Sequence, residues 1–380
     1  VTITVRTLAA ALLVAGCAST SVREPPALLT DFTPAFEVTQ VWSADIGGGS
    51  KDYLGLVPTV RDSIVYAAGA GGRVSALAAD TGKQLWQVEL DAPISGAVGV
   101  GSTLVTVGTR DGRVIALARD TGEQRWVAKV SSEVLARPAV GESLVVAQAV
   151  DGRVFGLSSA DGKRLWMYER VEPALSLRGT DPPVLTSNAV LTGFASGRVA
   201  ALRMQDGKAL WETAVALPRG RNEIERLVDV DASPLVFDDA IYAASFQGKL
   251  VALNPSNGNV LWSRDMSTHT GMTSDGTNLY LTNDRGYVMA FDRRNGASLW
   301  RQEALRGRGV NAPVVYDDVI VVADYEGYVH WLAREDGHFV ARYQAVGSPV
   351  RAPAVVADGT VFVSGISGTL SALRLVRKQT

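Results

Sequence analysis

From about Phe36 onward the chain alternates short apolar runs with polar breaks, and the breaks recur at a regular distance. The pattern Gly-x-[Val/Leu]-x-x-[Leu/Phe] occurs eight times, starting at Gly72, Gly112, Gly152, Gly197, Gly248, Gly286, Gly327 and Gly368. Successive spacings are 40, 40, 45, 51, 38, 41 and 41 residues. Six instances are followed by a polar residue, a glycine and, four residues after that glycine, a tryptophan, as in Thr81-Gly82 with Trp86 and Asp161-Gly162 with Trp166. Proline lies 14 residues before the repeat glycine at Pro58, Pro138, Pro183, Pro234 and Pro313, and 15 before it at Pro353.

These marks translate into strands. Proline suits a strand's first residue, where no ladder donor is needed. After Pro313, Val314-Val315-Tyr316, Asp317-Asp318 and Val319 to Ala323 read as strand, tight turn, strand. The Gly-x-Val segment is a third strand, and an Asp-Gly or Asn-Gly pair turns the chain into a fourth that carries tryptophan. Alternation with period two persists throughout, and Gly or Pro interrupts every longer run, so no helix of useful length is expected. Four short antiparallel strands per roughly 40 residues, repeated radially, make a β-propeller blade. The last repeat stops before its tryptophan strand, while Trp42 lies in a strand with no third strand before it. Pairing the two completes an eighth blade and removes an open edge. The expected fold is all-β: an eight-bladed propeller of four-stranded antiparallel blades, closed by the N-terminal strand on the C-terminal blade.

The repeat tryptophans, Trp42, Trp86, Trp126, Trp166, Trp211, Trp262 and Trp300, are expected to be structural docking residues. Repeat seven departs: Ala341 stands in the tryptophan slot, and Trp331 stands where other repeats mostly have alanine. Trp331 is expected to fill volume that the missing indole leaves.

The N-terminus has a different character. Arg6 precedes the apolar run from Leu8 to Ala15, then Gly16-Cys17. A positive residue, a core of about ten apolar residues and small residues at its end describe a secretory signal, too short for a transmembrane helix. Residues 1–16 are therefore expected to be removed. Cys17, the one cysteine in the chain, stands where cleavage falls. Residues 17–36, rich in Ser, Thr and Pro, are expected to form a flexible tether, 37–376 the propeller and 377–380 a tail.

Composition narrows the function. Of the 380 residues 47% are hydrophobic, and 37 basic against 39 acidic side chains leave a charge of -2. That balance supplies no field for nucleic acid. His269, His330 and His338 are too scattered to suggest a metal site, and no Cys/His cluster suits zinc. Gly69 to Gly72 does not complete a dinucleotide fingerprint, since Val stands at position 74. Most acidic residues fall in Asp-Gly turns, where turn chemistry accounts for them. No catalytic residue, cofactor or metal is expected.

Loop lengths point elsewhere. The span from tryptophan to the next repeat glycine is mostly 24–27 residues, but 31 after Trp166 and 37 after Trp211. Both expansions join the fourth strand of one blade to the first of the next, so they emerge side by side on one face. Each mixes apolar and charged residues, as a partner-binding loop does.

The stretch Ala79 to Trp86 is similar to the pyrroloquinoline-quinone (PQQ) type propeller repeat. Val14-Ala15-Gly16-Cys17 resembles a bacterial lipobox, which implies a lipidated Cys17 and, with no aspartate directly after it, sorting to the outer membrane. Lipobox, length, eight repeats and the stretches Leu175 to Gly179, Glu223 to Asp231 and Glu326 to Trp331 together resemble the BamB family, lipoproteins of the outer-membrane β-barrel assembly machinery. The resemblance implies a non-enzymatic scaffold facing the periplasm, binding the POTRA domains of BamA and assisting insertion of outer-membrane proteins. Nascent outer-membrane proteins are a further partner it suggests. It carries partner binding onto Leu175, Leu177 and Arg178 in the first loop and Asp229 and Asp231 in the second. The two leucines would fill an apolar patch and Arg178 would make polar contacts; the aspartates would contact the partner or shape the first loop. Two other readings share the fold. A lipoprotein could bind a small ligand or peptidoglycan in the central channel. A quinoprotein dehydrogenase could bind PQQ, but that family has a vicinal cysteine pair, absent here.

Overall fold

The computed structural model describes residues 25–48, 54–173, 175, 182–218, 221–222, 225–230 and 232–377. Among these, 32 strands form eight four-stranded antiparallel sheets. Seven blades are continuous, spanning residues 59–89, 94–129, 139–169, 184–214, 235–266, 272–302 and 314–344. In the eighth, the strand Phe36–Asp45 pairs with the last strand, Thr369–Arg377, at the edge of a sheet completed by Thr360–Ser364 and Val355–Ala357. The expected closure is therefore the observed one.

Burial falls from second strand to outer strand. Val319–Ala323, a second strand, is buried along its whole length, because both of its faces meet neighbouring blades. Outer strands keep only alternate residues inside: in Gln124–Lys129, Trp126 and Ala128 are buried and the others exposed. Each outer strand carries a bulge just before its tryptophan position. Ala76 faces Trp86 while Leu77 faces Gln84, leaving Leu85 unpaired, and the same shift recurs in all eight sheets. A bulged edge is a poor template for another strand, so the eight outer rims are protected against edge-to-edge association.

The tryptophan–glycine repeat is an inter-blade joint. In each of the seven ordinary positions the indole N–H donates to a carbonyl in the next blade, from Trp166 to Met204 O at 2.8 Å through Trp262 to Arg293 O at 3.2 Å. The ring lies flat on that blade's turn glycine. At Gly162, with φ of +72°, a Cβ would sit 2.6 Å from the Trp126 ring, so both the conformation and the close approach require glycine.

Blade seven breaks this joint for a topological reason. Its neighbour, blade eight, takes its outer strand from the N-terminus, so it has no turn between third and fourth strands on which an indole could rest. Ala341 occupies the tryptophan position, and Trp331 lies directly opposite it on the adjacent strand, fully buried. The indole has moved one strand inward. It packs with Val346, Val350, Val361 and Leu373, in a core flanked by Phe36 and Val38 of the closing strand.

Residues 25–35 depart from the expectation of a flexible tether. They run along blades six and seven: the Ala27 N–H donates to Arg306 O at 2.9 Å and the Ala35 N–H to Val340 O at 2.9 Å, with Phe32 stacked on Phe339 between them.

Candidate partner-binding face

In these sheets the outer-to-inner connections between blades share one face with the turns between second and third strands. The connection 170–183, from blade three to four, and 215–234, from blade four to five, are therefore neighbours on that face.

The first connection is pinned where it leaves the sheet. Arg170 donates Nε to Ser196 Oγ at 3.1 Å and pairs through Nη1 with Glu212, which also accepts from the Tyr168 hydroxyl and lies 3.4 Å from Arg198. Two arginines and a phenol on one partly buried carboxylate fix the direction in which the loop departs. Beyond this anchor, Val171 and Leu175 are exposed, Leu175 at 41%, and Leu217 at the base of the second loop is exposed as well. These side chains give the face an apolar character that a folded chain has no internal reason to keep.

The second connection is packed inward. Asn222 Oδ1 accepts from Glu225 N at 2.9 Å and Arg221 N donates to Glu225 Oε2 at 2.7 Å, forming a local turn. Val228, Asp229 and Val230 are buried. Asp229 forms an isolated antiparallel bridge with Phe246, whose N–H reaches Asp229 O at 2.7 Å, and Val230 N donates to Phe194 O at 3.3 Å. Gly193 makes this possible, since a Cβ there would lie 2.7 Å from Val230. Ser233 Oγ then reaches Pro182 O at 3.4 Å, tying the second loop to the base of the first.

Glu172, in the first connection, has its carboxylate oxygens buried, with Ser196, Arg170 and Asp229 as its polar neighbours. Burial pushes its carboxyl up to about 7; the charge of Asp229 adds to the rise, while Ser196 and Arg170 oppose it. The folded state therefore holds the Glu172 proton more tightly than the unfolded chain. Below pH 4.5 both states are protonated and no penalty exists; it accumulates as pH rises to 7 and is complete above that. Glu172→Gln is expected to stabilise the protein at pH 8 by about 1–2 kcal/mol, after discounting for partial exposure, and to leave it unchanged at pH 4.5. Paired thermal melts of variant and wild type at the two pH values check this.

Of the residues that sequence reasoning assigned to partner binding, Leu175 is on the surface of the first loop and Asp229 is buried in the second. Leu177, Arg178 and Asp231 lie outside the described residues, as does Cys17. Glu172, Glu212 and Gly193 belong to the same face and are not evident from the sequence. No sequence pattern marks them, because each acts through a neighbour brought close only by the fold.

Residues 70–302 and 288–376 match the family model described as "Outer membrane protein assembly factor BamB". The chain is 49% identical over 367 residues to the outer membrane protein assembly factor BamB of Pseudomonas aeruginosa, covering 96% of this chain and 97% of that one. It belongs to the BamB family. The crystal structure of BamB from Moraxella catarrhalis superposes with a TM-score of 0.81 at 30% identity, covering 89% of this chain and all of that one. The quinohemoprotein alcohol dehydrogenase of Comamonas testosteroni gives a TM-score of 0.72 at 14% identity, a likeness of fold alone. A BamB-family propeller thus shares its architecture with quinone enzymes and its sequence with assembly factors.

Proposed function

We propose that the chain is a non-enzymatic lipoprotein scaffold of the outer-membrane β-barrel assembly machinery, anchored through Cys17 and facing the periplasm. In this reading it binds the POTRA domains of BamA and assists assembly and insertion of β-barrel proteins. The observation that carries it is the pair of enlarged neighbouring connections on one propeller face, one exposing Leu175 and the other packed inward and tied to the first through Ser233 and Pro182, in a chain that belongs to the BamB family. Leu175 and Leu177 supply apolar contact and Arg178 a charged one, while buried Asp229 acts by holding the second loop in place as the first loop's support.

A binding titration of the soluble chain from residue 18 against the periplasmic POTRA region of BamA tests this. Binding in the micromolar range or tighter is expected for wild type. The variant Leu175→Ala/Arg178→Glu is expected to lose at least about tenfold in affinity, as central contact residues do, with an unchanged melting temperature. Wild-type binding retained in full by the variant would move the site off this loop. Absence of wild-type binding would end the POTRA reading.

A further inference from the structure

We propose that residues 25–35 are a docked strap that fixes where the lipid tether leaves the propeller: on the rim of blade six, on the same face as the two enlarged loops. This rests on the reading of Cys17 as the lipidated residue.

The strap is held at four points along its length. Ala27 is bound both ways: its N–H donates to Arg306 O, and its carbonyl accepts from Arg308 Nη1 at 3.1 Å. Leu29 packs onto the core between blades six and seven, beside Trp300, Leu305, Val310 and Phe339. Thr30 O accepts from Arg342 Nη1 at 2.9 Å, and the Arg342 guanidinium covers both Phe32 and Phe339, 5.0 and 5.2 Å from the ring centres. Ala35 then bonds to Val340. Val340 is the bulge residue of its outer strand. Its counterparts Leu85, Leu165, Leu210, Leu261 and Leu299 are about half exposed, at 48–57%, whereas Val340 is 5% exposed. Blade seven is the blade whose outer rim this segment covers.

Both arginines that hold the strap are set from inside blade seven. Arg308 Nε donates to Asp324 Oδ2 at 2.8 Å, and His330 Nε2 lies 3.1 Å from the same oxygen. Arg342 Nε donates to His330 Nδ1 at 3.2 Å, so Nδ1 carries no proton and Nε2–H is the donor to Asp324. A chain from strap carbonyls through two arginines to a fully buried histidine and aspartate cannot slide along the rim without breaking.

The direction follows from the sheet order. Arg306 lies in the connection from blade six to seven, on the face of the enlarged loops, whereas Val340 lies near the opposite face, beside the turn between third and fourth strands. The strap crosses the rim from the first face to the second, and the chain turns back as the closing strand. Upstream of Ala27, ten residues lead back to Cys17, which at full extension reach about 35 Å. A tether loose as far as Phe36 would have nineteen, reaching about 65 Å. The strap roughly halves the leash and ties it two blades from the second enlarged loop and three from the first.

Two measurements test this. In the lipid-free chain from residue 18, the Ala27 and Ala35 amides are expected to be protected from hydrogen exchange by about 100-fold or more, and to lose that protection in Leu29→Ser/Phe32→Ser while blade-seven strands keep theirs. The full lipidated chain is then placed in phosphatidylethanolamine/phosphatidylglycerol vesicles with a fluorophore on Ala304→Cys, on blade six, or Ser131→Cys, four blades away. Energy transfer to a bilayer acceptor is expected to be about twofold or more stronger at position 304 than at 131, and to equalise in the strap variant. Equal transfer in wild type, or a difference that survives in the strap variant, overturns the proposal. A chain that does not float with the vesicles overturns it through its premise, and the exchange result then shows separately whether the strap is docked.

Discussion

Trp331→Ala is expected to cost about 3–5 kcal/mol, the range for truncating a large buried aromatic, and to lower the melting temperature by several degrees. The side chain is fully buried against residues of both blade seven and blade eight. It also faces Ala341, too small to move into the space. What distinguishes this tryptophan from the others is its N–H, which has no hydrogen-bond partner among the described residues. Trp331→Phe is therefore expected to be nearly neutral, since the lost ring volume is offset by relief of a buried donor. Trp126→Phe, by contrast, removes a 2.9 Å bond to Ser159 O and is expected to cost about 1 kcal/mol on that account alone, beyond the lost volume. Chemical denaturation of the variants checks the ordering. A Trp331→Ala protein as stable as wild type would mean that the blade seven–eight contact is not held by this residue.

The repeat was legible because its physics is local and recurs eight times. A glycine forced positive by a turn and a tryptophan four residues later leave a mark in each of six blades, and the eightfold Gly-x-[Val/Leu] period then fixes the number of blades. The swap of Trp331 and Ala341 was legible as an anomaly, and the expected closure already implies that blade eight lacks a turn between its third and fourth strands; that an indole needs such a turn to rest on is visible only in the packing. The strap reads as a tether in the sequence for a related reason. Pro25-Pro26, Thr30, Asp31 and Pro34 carry no period, and the partners that hold the segment, among them Arg308 and Arg342, lie nearly 300 residues downstream. At the candidate face, spacing located both loops, but the sequence did not distinguish surface from support. Leu175 and Asp229 both fell in enlarged connections, and only packing separates the exposed leucine from the buried aspartate.

Asp324 shows the same limit and carries the second large expected effect. As the first residue of a tight turn it does what its position suggests: Oδ1 accepts from Glu326 N at 2.9 Å and Tyr328 N at 3.1 Å. Its other oxygen holds Arg308 and His330, all three side chains being 4% exposed or less. Burial alone would raise the Asp324 carboxyl, but His330 and Arg308 outweigh it and hold it below the usual carboxylate range. Burial keeps His330 below the ordinary imidazole value, against the pull of Asp324. Both shifts act in one direction on acidification. The stability that ionised Asp324 contributes is present above the unfolded carboxylate value and lost as pH falls through its lower folded value. The unfolded chain takes up a proton on His330 before the folded one does, so the contribution of this site already declines below about pH 6.5. Asp324→Ala removes the acceptor of Arg308 Nε and of His330 and leaves buried Arg308 with Glu326 and the Ala27 carbonyl, so it is expected to cost about 3 kcal/mol, the lower end of the range for breaking one side of a buried pair. Asp324→Asn keeps a hydrogen-bonding group but loses the charge, and is expected to fall between. In a double-mutant cycle with Arg308→Ala, the coupling is expected to be about 1–3 kcal/mol. Additive losses would show that Asp324 matters for its turn and not for its charge.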